Sequence, residues 1–226
     1  MTNGIIDFII ELIIVAPIVL LALTFHEFAH GFVAYKLGDP TAKYYGRLTL
    51  NPLKHLDPIG AICMLFAHFG WAKPVPIDIT NFKNAKRDLA LSALAGPVVN
   101  LLLGFFGCFL RVVAIRFLPT YYSNDFTYFL ANILLEFLFY FPWLNISLAL
   151  FNFLPIPPLD GSKILYAFLP PKANNWCKMH EREIGVVFML ILIADSRLLG
   201  GVLTNFLTVG VRAIFELFTN LFIFIF

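Results

Sequence analysis

The chain has 226 residues, of which 60% are hydrophobic and 13% are charged, and its formal net charge is +2. Soluble domains are nearer half apolar and a quarter charged, so this chain has too little polar surface to cover a soluble globule. We therefore predict a membrane protein, and the small net charge gives no indication of a nucleic-acid partner. Its 3 cysteines form no CxxC pair and indicate neither a disulfide framework nor a cysteine metal site.

Hydrophobic runs along the chain predict about five transmembrane helices, because a helix needs about 20 apolar residues to cross the hydrocarbon core. After the first run, the polar, aromatic and proline-containing region 39–87 favours a small membrane-associated β-hairpin or sheet and an interfacial or re-entrant segment. The predicted fold class is an all-α polytopic membrane protein, with residues 1–226 as one domain. The predicted spans are approximately 5–37, 88–118, 126–151, 183–199 and 201–226.

Basic residues are concentrated in two of the regions between the apolar runs. Residues 36–87 carry eight Lys or Arg residues and residues 163–182 carry four, whereas residues 118–126 carry none. Because Lys- and Arg-rich loops stay on the cytoplasmic side, this distribution predicts that both regions are cytoplasmic and that the N-terminus is outside. Arg111 and Arg116, near the outer end of the second span, run against this pattern, but such long side chains can snorkel to the interface.

The segment TFHEFAHGF carries the clearest chemical pattern of the chain. His26 and His30 are four residues apart, so both imidazoles project from one face of a helix. Two nitrogens at this spacing can bind one tetrahedral zinc, with Glu27 beside the open position as general acid and base. In a soluble helix the same motif is equally well an exposed pattern without a metal. Here the helix opens with about 20 apolar residues, where unpartnered charge costs several kcal/mol, and this favours a metal site.

A catalytic zinc needs a third protein ligand, and Asp160 in NFLPIPPLDG is the leading candidate. Three prolines break the helix before it, and a carboxylate on broken helix at membrane depth is tolerated where it lines a cavity or binds something. Spacing alone leaves a second interpretation open, in which Asp160 faces water and caps a helix over residues 161–168. His55 is then the first alternative ligand to test.

With these motifs the chain resembles the site-2 protease family of intramembrane zinc metalloproteases. HEFAH at 26–30 and N-x-x-P-x-x-P-L-D-G at 152–161 follow the family's order, and GWAKPVPID and ALAGPVVN look like its compact bacterial and archaeal branch. The resemblance implies one Zn²⁺ per chain with Asp160 as third ligand, Glu27 as catalytic base, and Asn152 holding the substrate carbonyl or the oxyanion. We expect the compact type without a PDZ domain or a membrane helix before HEFAH, in a cell inner membrane.

Three asparagines in apolar spans have different expected roles. An amide donor near a reacting carbonyl is the type of group that stabilises an oxyanion, which suits Asn152. Its alternative role is a helix-terminating amide that satisfies the backbone freed by Pro155. Asn100 and Asn145 are predicted to make interhelical hydrogen bonds, and the small residues of ALAGP favour close helix packing.

The predicted function is an intramembrane zinc metalloprotease that cleaves peptide bonds within or near transmembrane segments of membrane proteins or signal-peptide remnants. Its expected partners are a substrate helix and the lipid bilayer, with the site toward the cytoplasm. The alternative is a membrane metal-binding or transport protein that uses the same His and Asp side chains. Against transport, a transit site has no use for a Glu beside an open coordination position, and no paired repeats are visible. A di-iron oxidase would need many more than the 5 histidines present.

Overall fold

The computed structural model describes residues 3–57, 60, 72–118, 124–198 and 200–225. Its α-helices are α1 (Asn3–Lys36), α2 (Thr41–Tyr44), α3 (Ala85–Phe117), α4 (Asp125–Phe153), α5 (Asp160–Phe168), α6 (Pro171–Met179), α7 (Glu181–Leu198) and α8 (Val202–Ile225). Two 3₁₀ turns, Pro52–Lys54 and Ile79–Asn81, lie between α2 and α3. The described part of the chain is therefore helical, as the sequence predicts.

Within the described residues, 4 helical stretches are long and apolar enough to cross a membrane. They are Leu12–Lys36 in α1, α3, α4 and α8. The predicted span 183–199 does form a helix, α7, but charged residues at both ends leave its apolar part too short. Those residues are Glu181, Arg182, Glu183, Asp195 and Arg197. The prediction of about five spans is therefore not confirmed.

The region after α1 differs from the prediction of a β-hairpin or sheet. Among the described residues of 39–87, the single β-type pairing is an isolated antiparallel bridge between Leu56 and Ala72. On the side of the bridge that the structure describes, Pro74 and Pro76 have no N–H to donate to a neighbouring strand, which disfavours a ladder there. The prediction of a small sheet is therefore wrong for the described part of this region.

Side-chain caps build the short turns of this region instead. Asn51 accepts a hydrogen bond from the N–H of Leu53, and Asp78 accepts one from the N–H of Thr80, so each begins a 3₁₀ turn. The apolar stretch predicted as interfacial or re-entrant, residues 58–69, lies outside the described residues apart from Gly60. What the structure shows of the region is a chain of turns that returns toward α1.

Helix α3 is the central element, since it packs against α1, α4, α5 and α8. A buried apolar cluster joins α3, α4 and α8, and it consists of Cys108, Val112, Ile146, Val211, Phe215 and Phe222. Beside it, the guanidinium of Arg111 lies over the rings of Phe139 and Phe215, 5.7 and 5.5 Å from their centroids. These two aromatic faces provide a favourable contact for a positive charge inside the bundle.

Asp195 connects α7 to α8. Its carboxylate accepts hydrogen bonds at 2.9 Å from the N–H groups of Leu203 and Thr204, and one at 2.7 Å from the Thr204 hydroxyl. These are free N–H groups of the first turn of α8, so Asp195 caps that helix from the preceding one. Asp195 is a charged residue inside the predicted span 183–199, and the structure gives it this capping role.

Candidate metal centre

Two helices that are distant in sequence bring three potential metal ligands together. His26 and His30 lie on α1, and Asp160 is the first residue of α5. Nε2 of each histidine is 3.0 Å from Oδ2 of Asp160. The three residues are only 4%, 6% and 6% exposed. The structure therefore places the HExxH histidines and the aspartate of the LDG motif in one buried group, with ligand atoms within 4.8 Å of one another.

The other nitrogen of each histidine is held by a carbonyl oxygen. His26 Nδ1 is 2.6 Å from Oδ1 of Asn100, and His30 Nδ1 is 2.7 Å from the main-chain carbonyl of Ser92. Because a carbonyl oxygen only accepts hydrogen bonds, each Nδ1 carries the hydrogen and donates it. In each neutral ring, Nε2 then carries a lone pair that is directed at Asp160.

This arrangement fits a divalent metal ion. Three atoms with lone pairs, the two histidine Nε2 atoms and Oδ2 of Asp160, lie close together in a buried space. No ring hydrogen lies between them, because each histidine donates its hydrogen from Nδ1 to a carbonyl oxygen. Such a group is electrostatically unfavourable unless a cation lies among its members. Two imidazole nitrogens and one carboxylate oxygen, which leave a further coordination position open, are also a ligand set found in catalytic zinc sites.

The geometry at Asp160 bears on the two interpretations of this residue. The N-cap position of α5 is Leu159, and no side chain caps this helix. Asp160 is buried, its Oδ2 faces the histidines, and its Oδ1 accepts a hydrogen bond at 3.1 Å from Nζ of Lys163. The carboxylate is thus directed at the two histidines and contacted by the ammonium group of Lys163, and this geometry favours the ligand interpretation over a cap that faces water.

Two glycines allow the backbones to approach closely enough for this group to form. A Cβ at Gly96 of α3 would lie 2.4 Å from His30 Nε2 and 2.7 Å from His26 Cε1. A Cβ at Gly161 would lie 2.4 Å from the carbonyl oxygens of Phe153 and Leu154, at the end of α4. Neither position can accept a larger residue unless the neighbouring atoms move. For Gly96, this agrees with the close helix packing predicted for ALAGP.

Glu27 follows His26 on α1 and is partly exposed. Its Oε2 accepts a hydrogen bond at 2.8 Å from the main-chain N–H of Val75. Val75 belongs to residues 72–78, the described part of the segment GWAKPVPID, which lies against α1 at this point. One oxygen of the carboxylate is therefore anchored by a main-chain group beside the ligand group.

The remaining two candidates make contacts of other kinds. Nδ2 of Asn152 donates to the carbonyl of Leu148 at 2.9 Å, one turn earlier in α4. His55 is buried, its Nε2 donates to the carbonyl of Thr49 at 2.8 Å, and it is not part of the ligand group in the described part of the chain. The structure thus brings together His26, His30 and Asp160, and it shows Asn152 bonded within its own helix.

The sequence analysis missed the residues that orient the histidines. Asn100 donates its Nδ2 to the carbonyl of Ala22 at 3.1 Å and to Asn145 Oδ1 at 2.9 Å, so the predicted interhelical hydrogen bonding is confirmed. Its contact with His26 was not predicted. The sequence nevertheless contained a signal for this contact. A stripe of small or polar residues, spaced by four, runs along one face of the apolar helix α3 and consists of Ser92, Gly96 and Asn100.

Comparison with known proteins identifies the family. The sequence profile of peptidase family M50 matches residues 120–194, which include Asp160. A protein of Bacillus subtilis (strain 168) named "Putative zinc metalloprotease YwhC" is 41% identical over 204 residues, which cover 90% of each chain. The chain belongs to peptidase family M50, the site-2 proteases. This membership confirms the predicted enzyme class, a membrane metalloprotease.

Less similar relatives are also named as zinc metalloproteases. Two proteins named "Putative zinc metalloprotease Rip2" come from Mycolicibacterium smegmatis (strain ATCC 700084 / mc(2)155) and Mycobacterium tuberculosis (strain ATCC 25618 / H37Rv). They are 28% identical over 183 residues and 29% identical over 187, which cover 79% and 80% of this chain and 66% of each relative. No solved structure matches the chain. The family profile covers residues 120–194 and so does not include the HExxH motif at 26–30. The match to YwhC is wider and covers 90% of this chain.

Proposed function

We propose that the chain is an intramembrane zinc protease that binds one Zn²⁺ through His26, His30 and Asp160. The observation that carries this proposal is the convergence of two Nε2 lone pairs on one carboxylate oxygen at 3.0 Å in a buried space. The relatives named as zinc metalloproteases support zinc as the metal. When bound, zinc polarises the scissile carbonyl and makes water more acidic.

Glu27 is proposed as the general acid and base. Its Oε2 is anchored by the N–H of Val75, which leaves Oε1 to exchange protons. Glu27 takes a proton from water as the water oxygen bonds to the carbonyl carbon of the substrate. The C–N bond then breaks, and Glu27 gives the proton to the leaving amine nitrogen.

Asn152 is proposed as a donor to the oxygen of the reacting carbonyl. A side-chain amide carries two N–H hydrogens, and the described bond to Leu148 uses one of them. The second makes no hydrogen bond in the described part of the chain, and in this proposal it stabilises the negative charge that develops on the carbonyl oxygen. A loss of rate in Asn152→Leu with unchanged metal content would support this role, and an unchanged rate would contradict it.

The proposed substrates are transmembrane helices of membrane proteins or remnants of signal peptides, as in regulated intramembrane proteolysis. The ligand group lies partly on α1, a candidate membrane span, and this supports a substrate that itself lies in the bilayer. A helical peptide bond is protected by its own hydrogen bonds, so the substrate must unwind locally. The basic regions 36–87 and 163–182 support a cytoplasmic location of the site in a cell inner membrane.

The test compares wild type and Glu27→Gln, purified in detergent, for metal content and for cleavage of a single-pass model substrate. We expect Glu27→Gln to retain its metal and to lose cleavage by at least about 100-fold. Glu136→Gln, which changes an exposed glutamate on α4, is the matched control and should cleave like wild type. Cleavage by Glu27→Gln at the wild-type rate would overturn the proposal, and metal uptake into liposomes by the same variant would favour a transporter.

A further inference from the structure

The short segment around Val75 is docked on α1 beside Glu27. Val75 lies between two prolines, so its N–H is the one main-chain donor over residues 74–76, and it bonds to Glu27 Oε2 at 2.8 Å. Val75 is only 8% exposed. Its side chain packs on α1 at Gly31, one turn after Glu27, where an added Cβ would be 3.1 Å from Val75 Cγ1. Val75 is therefore fixed on α1 both by its N–H and by its side chain.

Arg47 holds the same segment from the other side. Its Nη2 donates to the carbonyl of Lys73 and, at 3.4 Å, to the carbonyl of Pro74. Arg47 is only 7% exposed, and in the described part of the chain it forms no ion pair with a carboxylate. A buried guanidinium is unfavourable unless it is hydrogen-bonded. Here Nη2 bonds to the two carbonyls that precede Val75, while Nε has no partner in the described part of the chain.

We propose that Arg47 is a positioning residue for Glu27. By fixing the carbonyls of Lys73 and Pro74, Arg47 sets the place and direction of the Val75 N–H, and this N–H anchors one oxygen of the Glu27 carboxylate. The other oxygen is then held in the orientation that proton transfer requires, and rates of such transfers depend steeply on geometry. The inference rests on the proposed function, because it assigns this orientation to the proposed general base.

The path from Arg47 to Glu27 consists of the hydrogen bonds from Arg47 to the carbonyls before Val75 and from the Val75 N–H to Glu27. Amide hydrogen exchange can test this path without an activity assay. Since prolines have no amide hydrogen, exchange within residues 74–76 reports Val75 alone. Both Arg47→Met and Glu27→Ala should speed the exchange of this amide. Arg87→Met is the control, because it removes a guanidinium that is 61% exposed and paired with Asp88 on α3, and it should leave the exchange unchanged. Wild-type exchange in Arg47→Met would overturn the proposal.

The kinetic test uses variants at the two ends of the path, with metal content measured for each. Val75→Pro deletes the N–H while favouring an extended backbone, and Val75→Ala keeps the N–H but loses side-chain packing. We expect Arg47→Met and Val75→Pro each to lower kcat about 10- to 100-fold at unchanged metal content. Arg47→Lys should recover part of the loss, and Val75→Ala should lose less than Val75→Pro.

The double variant separates positioning from general stabilisation. If Arg47 acts through the N–H of Val75, Arg47→Met should cost no further kcat in a Val75→Pro background. Additive losses, or wild-type kcat in Arg47→Met, would overturn the positioning role and leave the proposed function standing. An active Glu27→Gln variant would overturn the proposed function itself, so the two failures are distinguishable.

Discussion

His26 on α1 donates a hydrogen bond to Asn100 on α3, with 2.6 Å between His26 Nδ1 and Asn100 Oδ1. Asn100 is fully buried, and its Nδ2 donates to the carbonyl of Ala22 and to Asn145 Oδ1. These two acceptors fix which end of the amide is oxygen, so the amide cannot flip without losing all three bonds. The pair therefore holds His26 in the tautomer that presents its Nε2 lone pair to Asp160.

Replacing Asn100 with Leu should lower the affinity for metal about 10- to 100-fold, because His26 loses the acceptor that sets its tautomer and ring orientation. Affinity can be measured by competition with a chromogenic chelator on detergent-purified protein. Asn145→Leu is the graded comparison, since it removes only a support of Asn100 and should cause a smaller loss. Wild-type affinity in Asn100→Leu would contradict the assigned role of this pair.

Gly96→Ala should disrupt the ligand group, since the new methyl would lie 2.4 Å from His30 Nε2 and one of the rings must move. The expected result is a loss of bound metal together with a lower melting temperature. Gly104→Ala is the control on the same helix, because its methyl would meet Ile146 Cγ1 at 2.7 Å, away from the ligand group. It should lower stability but leave metal content per folded chain unchanged. An equal metal loss in both variants would point to general unfolding.

Local patterns predicted the histidine pair but could not complete the site. The spacing of His26 and His30 places both on one helix face, and apolar length identified α1, α3, α4 and α8. For Asp160, spacing left a ligand and a helix cap open, and only the folded chain, in which its Oδ2 lies 3.0 Å from Nε2 of His26 and His30, favours the ligand. The contact between Glu27 and Val75 joins residues 48 apart through a main-chain N–H, which no side-chain pattern records.

The sheet that was not found and the fifth span that was not confirmed both have physical reasons. Strand-like composition after α1 suggested a sheet, but among the described residues only the bridge between Leu56 and Ala72 is found, and Pro74 and Pro76 cannot donate to a ladder on that side. Apolar residues in α7 suggested a fifth span, but its charged ends shorten the apolar part, and Asp195 serves as the cap of α8.

Asp39, just after α1, should make stability depend on acid pH. Burial raises the pKa of this carboxyl, but hydrogen bonds from Thr41, Asn81 and the N–H of Asp78 outweigh it, so its pKa lies below the ordinary value. A depressed folded-state pKa stabilises the protein above the unfolded pKa of about 3.9, and this stability is lost as pH falls through the folded pKa.

Asp39→Asn should therefore lower the melting temperature at neutral pH and flatten its decline below about pH 5. The measurement is a series of thermal melts in detergent across acid pH. Asp125→Asn, an exposed aspartate at the start of α4, should keep the wild-type slope. If Asp39→Asn followed the wild-type profile at every pH, Asp39 would not be the group responsible.

The central claim is that two segments 130 residues apart form one metal site. Its most direct test is elemental analysis of purified wild type, Asp160→Ala and Asp195→Asn, where the last variant changes a buried aspartate outside the ligand group. We predict about one zinc per chain in wild type and Asp195→Asn, and little or none in Asp160→Ala. Full zinc retention in Asp160→Ala would contradict the claim and would require another third ligand for His26 and His30.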